Sequence, residues 1–209
     1  MKTPPFKEIK PSLDDLFQDL AHPNPNINNK ACLDMIKYWP EASIERLIGN
    51  LSHKDLDLRR KSVKALGHFG DAVMPDIVKI FLTNKSTIVR SSCLKVLIKV
   101  VVCENYNSFP NSLIKVVSLS LREDNPEINL AVVCLLRQLG KHGLKKLIEI
   151  SSHKNILIAK ASITAIGEID DPSSIICLKE LSTDLSIDKL LRESASNSLE
   201  FKENFGKQC

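Results

Sequence analysis

Arg59, Arg60, Arg90 and Lys160 fall just past an apolar residue that opens a helical stripe, and each does so at a related place in the chain. A guanidinium pairs two carboxylate oxygens at once, so cations in such a row suit a ligand or partner surface that carries carboxylates. The same position also suits a structural task, holding the carbonyls of a turn. Trp39 and Tyr106 stand off the regular pattern and offer flat faces for stacking, although Trp39, next to Tyr38, suits capping one end of a core equally well. Cys103 opens the irregular stretch CENYNSFPNS. A nucleophilic thiolate needs a base and an electropositive setting, and its sequence neighbours supply neither. His22, His53 and His153 recur in polar turns, where histidine serves more often as a turn or capping residue than as a ligand. His68 and His142, within LGHFG and LGKHG, read as helix ends. No HExxH, GxSxG, GxxxxGK[ST] or GxGxxG occurs, so no catalytic residue and no metal site is predicted.

The elements that position these residues repeat. Ile27, Leu58, Val89, Ile128, Ile158 and Leu191 each open an apolar helix soon after a polar turn, at gaps of 31, 31, 39, 30 and 33 residues. Four residues past these anchors stand Ala31, Ser62, Cys93, Val132, Ser162 and Ala195, all small or medium-sized. Eight residues past them stand Met35, Leu66, Leu97, Leu136, Ile166 and Leu199, all large and apolar. Offsets of four and eight share one helix face. The small row predicts close approach of neighbouring helices and the large row fills the space between layers. Before each such helix runs another apolar stripe, as in Leu13, Leu16, Phe17 and Leu20, or Ile44, Leu47, Ile48 and Leu51. Pro11, Pro40, Pro110 and Pro172 mark starts of these first helices. Gly67 with Gly70, Gly140 with Gly143, and Gly167 are read as left-handed helix ends. The single long gap predicts a loop insertion between the third and fourth pairs.

These features define an all-α solenoid of about six antiparallel helix pairs. One pair cannot bury its own apolar face, so the layers stack into a curved rod with a concave groove. Residues 1–10 are expected as a flexible tail, 11–201 as the repeat domain and 202–209 as a flexible end. Six cysteines lie far apart with no C-x-x-C, which reads as reduced thiols in the core rather than a zinc or disulfide framework. No apolar run approaches a membrane span and the opening MKTPPFKEIKP holds no signal-peptide core, so a cytoplasmic protein without membrane insertion is expected. A net charge of +4, one Trp and two Tyr argue against a nucleic-acid groove of the base-excising kind.

The segment LRRKSVKALGHFG (Leu58–Gly70) resembles the signature repeat of the HEAT-like phycobiliprotein lyases of cyanobacteria, the E/F type. The opening LDDLFQDLAHPNPNINNKA (Leu13–Ala31) is similar to the start of the shorter, phycoerythrin-associated members. The resemblance implies a HEAT-like alpha-solenoid, in which an arginine after the anchor commonly bonds the turn of a neighbouring repeat. It also implies work in phycobilisome assembly, attaching linear tetrapyrroles to cysteines of phycobiliprotein subunits or acting as a chaperone for those subunits. The expectation is a chaperone-like accessory in phycoerythrin maturation, holding a subunit for a partner lyase. The alternatives are a bilin lyase in its own right, such as one half of a heterodimer, and a generic protein-binding scaffold. The implied partners are phycoerythrin subunits and a larger HEAT-like bilin lyase. The implied ligand is a transient linear tetrapyrrole, phycoerythrobilin or a relative, with Arg59, Arg60, Arg90 and Lys160 meeting its propionates or an acidic partner surface.

Overall fold

The computed structural model describes residues 10–104 and 106–205. Twelve α-helices follow one another in six pairs among these residues: α1 (Leu13–Ala21) with α2 (Pro25–Tyr38), α3 (Pro40–Gly49) with α4 (Leu56–Gly67), α5 (Met74–Thr83) with α6 (Thr87–Cys103), α7 (Asn111–Arg122) with α8 (Pro126–Gln138), α9 (Lys141–Ile150) with α10 (Ile156–Glu168), and α11 (Pro172–Thr183) with α12 (Lys189–Phe205). Single 3₁₀ turns, Asn50–Ser52 and Gly70–Val73, join some of them. The expected solenoid of six pairs is present. Residues 1–9 and 206–209 of the two expected flexible ends lie outside the described residues, and α12 continues past the anticipated boundary at Phe201.

Local chemistry starts the helices. The side chains of Ser12, Asn24, Asp55, Asn125, Asn155 and Asp171 each accept a backbone N–H of the first turn that follows. Proline stands at the first positions of α2, α3, α5, α8 and α11, where its missing N–H costs nothing. Pro40 and Pro172 thus open first helices as expected, Pro110 caps α7, and Pro11 stands just before the cap of α1.

The anchor rows make the core. Ala31, Ser62, Cys93, Val132, Ser162 and Ala195 are all at most 1% exposed, and Met35, Leu66, Leu97, Leu136 and Ile166 are fully buried. The buried hydroxyls find partners: Ser62 accepts from Asn50 Nδ2 at 3.1 Å, and Ser162 donates to the Leu147 carbonyl at 2.6 Å. From α4 onward each even-numbered helix packs broadly on the next even one, whereas among successive odd-numbered helices only α5 and α7 do so. Helices on the inside of a curve are the closer set, so the even helices line the concave face.

Glycine has two different uses here. Gly70 (φ +58°) and Gly140 (φ +55°) occupy the left-handed region. Gly67 and Gly167 do stand at the ends of α4 and α10, but in right-handed helical conformation and not the left-handed one expected. A Cβ on Gly67 would lie 2.5 Å from Lys99 Cβ, and one on Gly167 would lie 2.8 Å from Ser198 Cβ. The bare backbone lets α4 meet α6, and α10 meet α12, at close range. Gly143 is likewise helical, within α9.

Candidate functional site

Arginines one residue past the anchor close their own turns. Arg59 Nη1 donates to the carbonyls of His53 and Lys54, at 2.6 and 3.1 Å. Arg90 Nε donates to Phe81 O at 3.3 Å, and its guanidinium lies 4.4 Å from the centroid of that ring. Arg192 donates to Ile187 O. Asn28 and Asn129 do the same work in their repeats, Asn28 on Asp19, Leu20 and His22, and Asn129 on Glu123. The structural role expected at this phase is therefore present, with one correction: all three arginines hold carbonyls of their own pair's turn, and only Arg90 also bonds the turn of the neighbouring pair, through Glu123. Beside Arg59 the neighbouring turn is reached two positions later, by Lys61 Nζ on Ala21 O at 2.7 Å. Arg90 also grips the Glu123 carboxylate with both prongs, and this pair is only 12% and 26% exposed. Its guanidinium faces the core between layers and not the concave face.

The turn histidines act alike. His22, His53 and His153 each accept, through Nδ1, the backbone N–H two residues on, at 3.0–3.1 Å. Trp39 closes the N-terminal end: its indole N–H donates to Pro11 O at 2.9 Å, and Lys10 Nζ sits 3.5 Å over the ring. Tyr106 belongs to the insertion, where its half-buried hydroxyl donates to the Asp71 carboxylate. Burial, then that bond and the charge of Asp71, pushes its phenol up from the ordinary value. Neither aromatic lies in the main groove. Among the described residues no three His, Cys, Asp or Glu side chains are placed to share a metal ion.

Two grooves open on the concave face. Between α4 and α6 lies one of about 470 Å³, with Leu56, Val63, Ile88 and Ile98 among its lining residues. Arg59, Arg60, Lys64, Lys95 and Lys99 line it as well, and among the described residues Glu127 is its only carboxylate. Glu127 is already engaged, accepting from Ser91 Oγ at 2.6 Å with Lys95 Nζ at 4.0 Å. Lys64 bonds only the neutral Asn29, at 2.7 Å. His68, at the end of α4, has its pKa lowered, first by burial and then by the charges of Lys64 and Lys99. Between α10 and α12 lies a second groove, of about 370 Å³, lined by Lys160, Thr164, Glu168, Leu190, Glu193 and Phe201.

The structure thus places Arg59 and Arg60 at the first groove and Lys160 at the second, with Arg90 withdrawn from both. Lys64, Lys95 and Lys99 were not singled out from the sequence. Their signal was available: Lys64 and Lys95 stand six residues past their anchors and Lys99 ten, which continues the exposed row that Arg60 begins at two. The same face carries an exposed apolar residue in every repeat: Leu33, Leu56, Ile88, Leu130, Leu157 and Leu190 are 38–67% exposed.

Fold and face together define a helical-repeat scaffold that presents a long amphipathic concave surface. No family model matches the chain. An uncharacterized phycocyanin operon protein Z of Pseudanabaena tenuis is 30% identical over 189 residues, 90% of this chain and 94% of that protein. The bilin biosynthesis protein CpeZ of Synechococcus is 26% identical over 176 residues, 79% of this chain and 95% of that protein. Among solved structures, the complex of CpcE and CpcF of phycocyanin lyase from Nostoc superposes loosely, with a TM-score of 0.34 and 14% identity over 96% of this chain and 98% of that one. The chain belongs to the HEAT-like phycobiliprotein lyase family of the E/F type, together with phycocyanin operon protein Z and CpeZ. Among the described residues no helix is long and apolar enough to cross a membrane.

Proposed function

We propose that the chain is a chaperone-like accessory protein of phycobiliprotein maturation in the cytoplasm. Its concave face holds a phycobiliprotein subunit, with phycoerythrin as the client, while a larger HEAT-like lyase attaches the linear tetrapyrrole. The observation that carries this reading is the apolar residue left exposed on the concave face in each of the six repeats. An exposed apolar residue repeated on the same helix face in layer after layer is a row that a partner's surface can cover. A folded protein spans all six layers, whereas a small pigment covers one groove. The names of the relatives, one tied to a phycocyanin operon and one to bilin biosynthesis, support a client of the phycobiliprotein class. In this division of labour the scaffold supplies orientation, which is a proximity effect, and needs no acid–base pair of its own.

The test is co-expression with phycoerythrin subunits, with and without a candidate partner lyase. Capture of the chain should bring down a subunit even without bilin, and pigmented subunit should rise only when the lyase is also present. Zinc-enhanced fluorescence of a subunit incubated with bilin and this chain alone would instead show a lyase acting by itself. Failure to retain any subunit would remove the scaffold reading.

A further inference from the structure

We propose that the α4–α6 groove seats an acidic amphipathic helix of the partner protein, with its carboxylates among Arg60, Lys64, Lys95 and Lys99 and its apolar side on Leu56 and Ile88. This rests on the scaffold reading and names the part of the client that the groove takes.

The argument is charge complementarity joined to spacing. Arg60 and Lys64 stand four residues apart on α4, and Lys95 and Lys99 four apart on α6, so each wall of the groove carries two cations one turn apart. Even-numbered helices of successive antiparallel pairs run parallel, so the two walls carry their cations in the same direction. Four residues of α-helix rise about 6 Å. An incoming helix with carboxylates at i and i+4 repeats that interval, which lets one stripe of acids meet both walls along the groove axis. Leu56 and Ile88, 47% and 54% exposed, give the apolar side of such a helix a place to dock. This is the helix-in-groove mode of recognition.

The cations are not compensated from within. Arg60 and Lys99 make no side-chain hydrogen bond or ion pair among the described residues, Lys64 has only the neutral Asn29, and Glu127 approaches Lys95 only at 4.0 Å. The second groove lacks this character, since Lys160 there shares the lining with Glu168 and Glu193.

The test uses the full chain and fluorescence anisotropy. The probe is a fluorescein-labelled helical peptide with glutamates at i and i+4 beside a row of leucines, and the reference is the same peptide with glutamines. The glutamate peptide should bind more tightly by about tenfold, the scale of a few partly desolvated ion pairs, and lose that advantage in high salt. The double variant R60E/K95E should abolish the preference, and K160E should leave it intact. All three positions are exposed, and an unchanged circular dichroism spectrum confirms that the variants fold. Equal binding of the two peptides overturns the proposal, as does a preference that survives R60E/K95E. A free linear tetrapyrrole that binds this groove where the glutamate peptide does not overturns it as well. Peptide binding as described with no retention of any phycobiliprotein subunit leaves the groove assignment standing and removes the scaffold reading instead.

Discussion

The α4–α6 and α10–α12 grooves are the same structure with different chemistry. Each is closed by a glycine nine residues past the anchor, Gly67 or Gly167, which lets the next even helix come close. Each is floored by the same buried rows, with Ser62 or Ser162 on the small row and Leu66 or Ile166 on the large one. The exposed phases differ. Among the described residues the first groove has five cations and one carboxylate, and the second has Lys160 with Glu168 and Glu193. The repeat fixes the shape through residues that cannot change without loss of packing. The residues between them, free of that constraint, set what each groove accepts.

The largest effect expected from testing this separation is at Arg90. It lies one residue short of the groove-facing phase and is enclosed by Phe81 and Glu123. Arg90→Ala leaves a half-buried carboxylate unpaired and should cost about 3 kcal/mol, or roughly 6–12 °C in Tm. Arg60→Ala, at an exposed site, should stay within about 0.5 kcal/mol. Equal losses at the two positions in thermal melts would break the distinction between rows that build the repeat and rows that serve the groove. Next come the glycines. Gly67→Ala must push Lys99 Cβ away from 2.5 Å and should cost about 1–3 kcal/mol, and Gly167→Ala, facing Ser198 Cβ at 2.8 Å, should cost less. Adding Ser198→Gly should recover part of the second loss, a coupling that a double-mutant cycle in urea reads directly.

Much of this architecture was legible in the chain. The anchors and the rows four and eight residues beyond them located all six pairs, because burial leaves those positions little choice of residue. The turn histidines and the arginine after the anchor were also legible as turn chemistry. Which turn the arginine holds was not, since the same reach spans its own turn or the next one and only packing decides. The glycine pairs misled in a similar way. Gly67 and Gly167 look like helix ends in sequence, yet their reason is a neighbour in a different repeat. On the concave face, Arg60 and Lys160 were found by their adjacency to the anchor. Lys64, Lys95 and Lys99 were overlooked because single lysines on a helix surface are common, and their significance appears only when two helices bring their rows face to face.

The smallest effect expected lies beneath the grooves, on the small row. The first groove has Cys93 there, on α6, where the second has Ala195 on α12, and Ser62 on α4 answers to Ser162 on α10. Burial pushes the Cys93 thiol up to about 12 from its ordinary 9.0. The folded state therefore resists ionisation that the unfolded chain undergoes freely. The sign follows: the stability this confers is fully present below pH 9.0 and is lost as pH rises from there toward about 12. Ser162 has no such titration. Cys93→Ala, which places on α6 the residue that Ala31 and Ala195 supply in their own repeats, should remove this part of the alkaline decline at a modest packing cost. Urea midpoints at about pH 8 and about pH 10 check it, with the wild type losing about 1 kcal/mol more than the variant across that interval. Ser162→Ala should leave the alkaline slope as it is, because a hydroxyl stays protonated throughout the range. An equal slope in wild type and Cys93→Ala would mean that the thiol does not sense its burial, and the tight packing assigned to the α4–α6 floor would have to be revised.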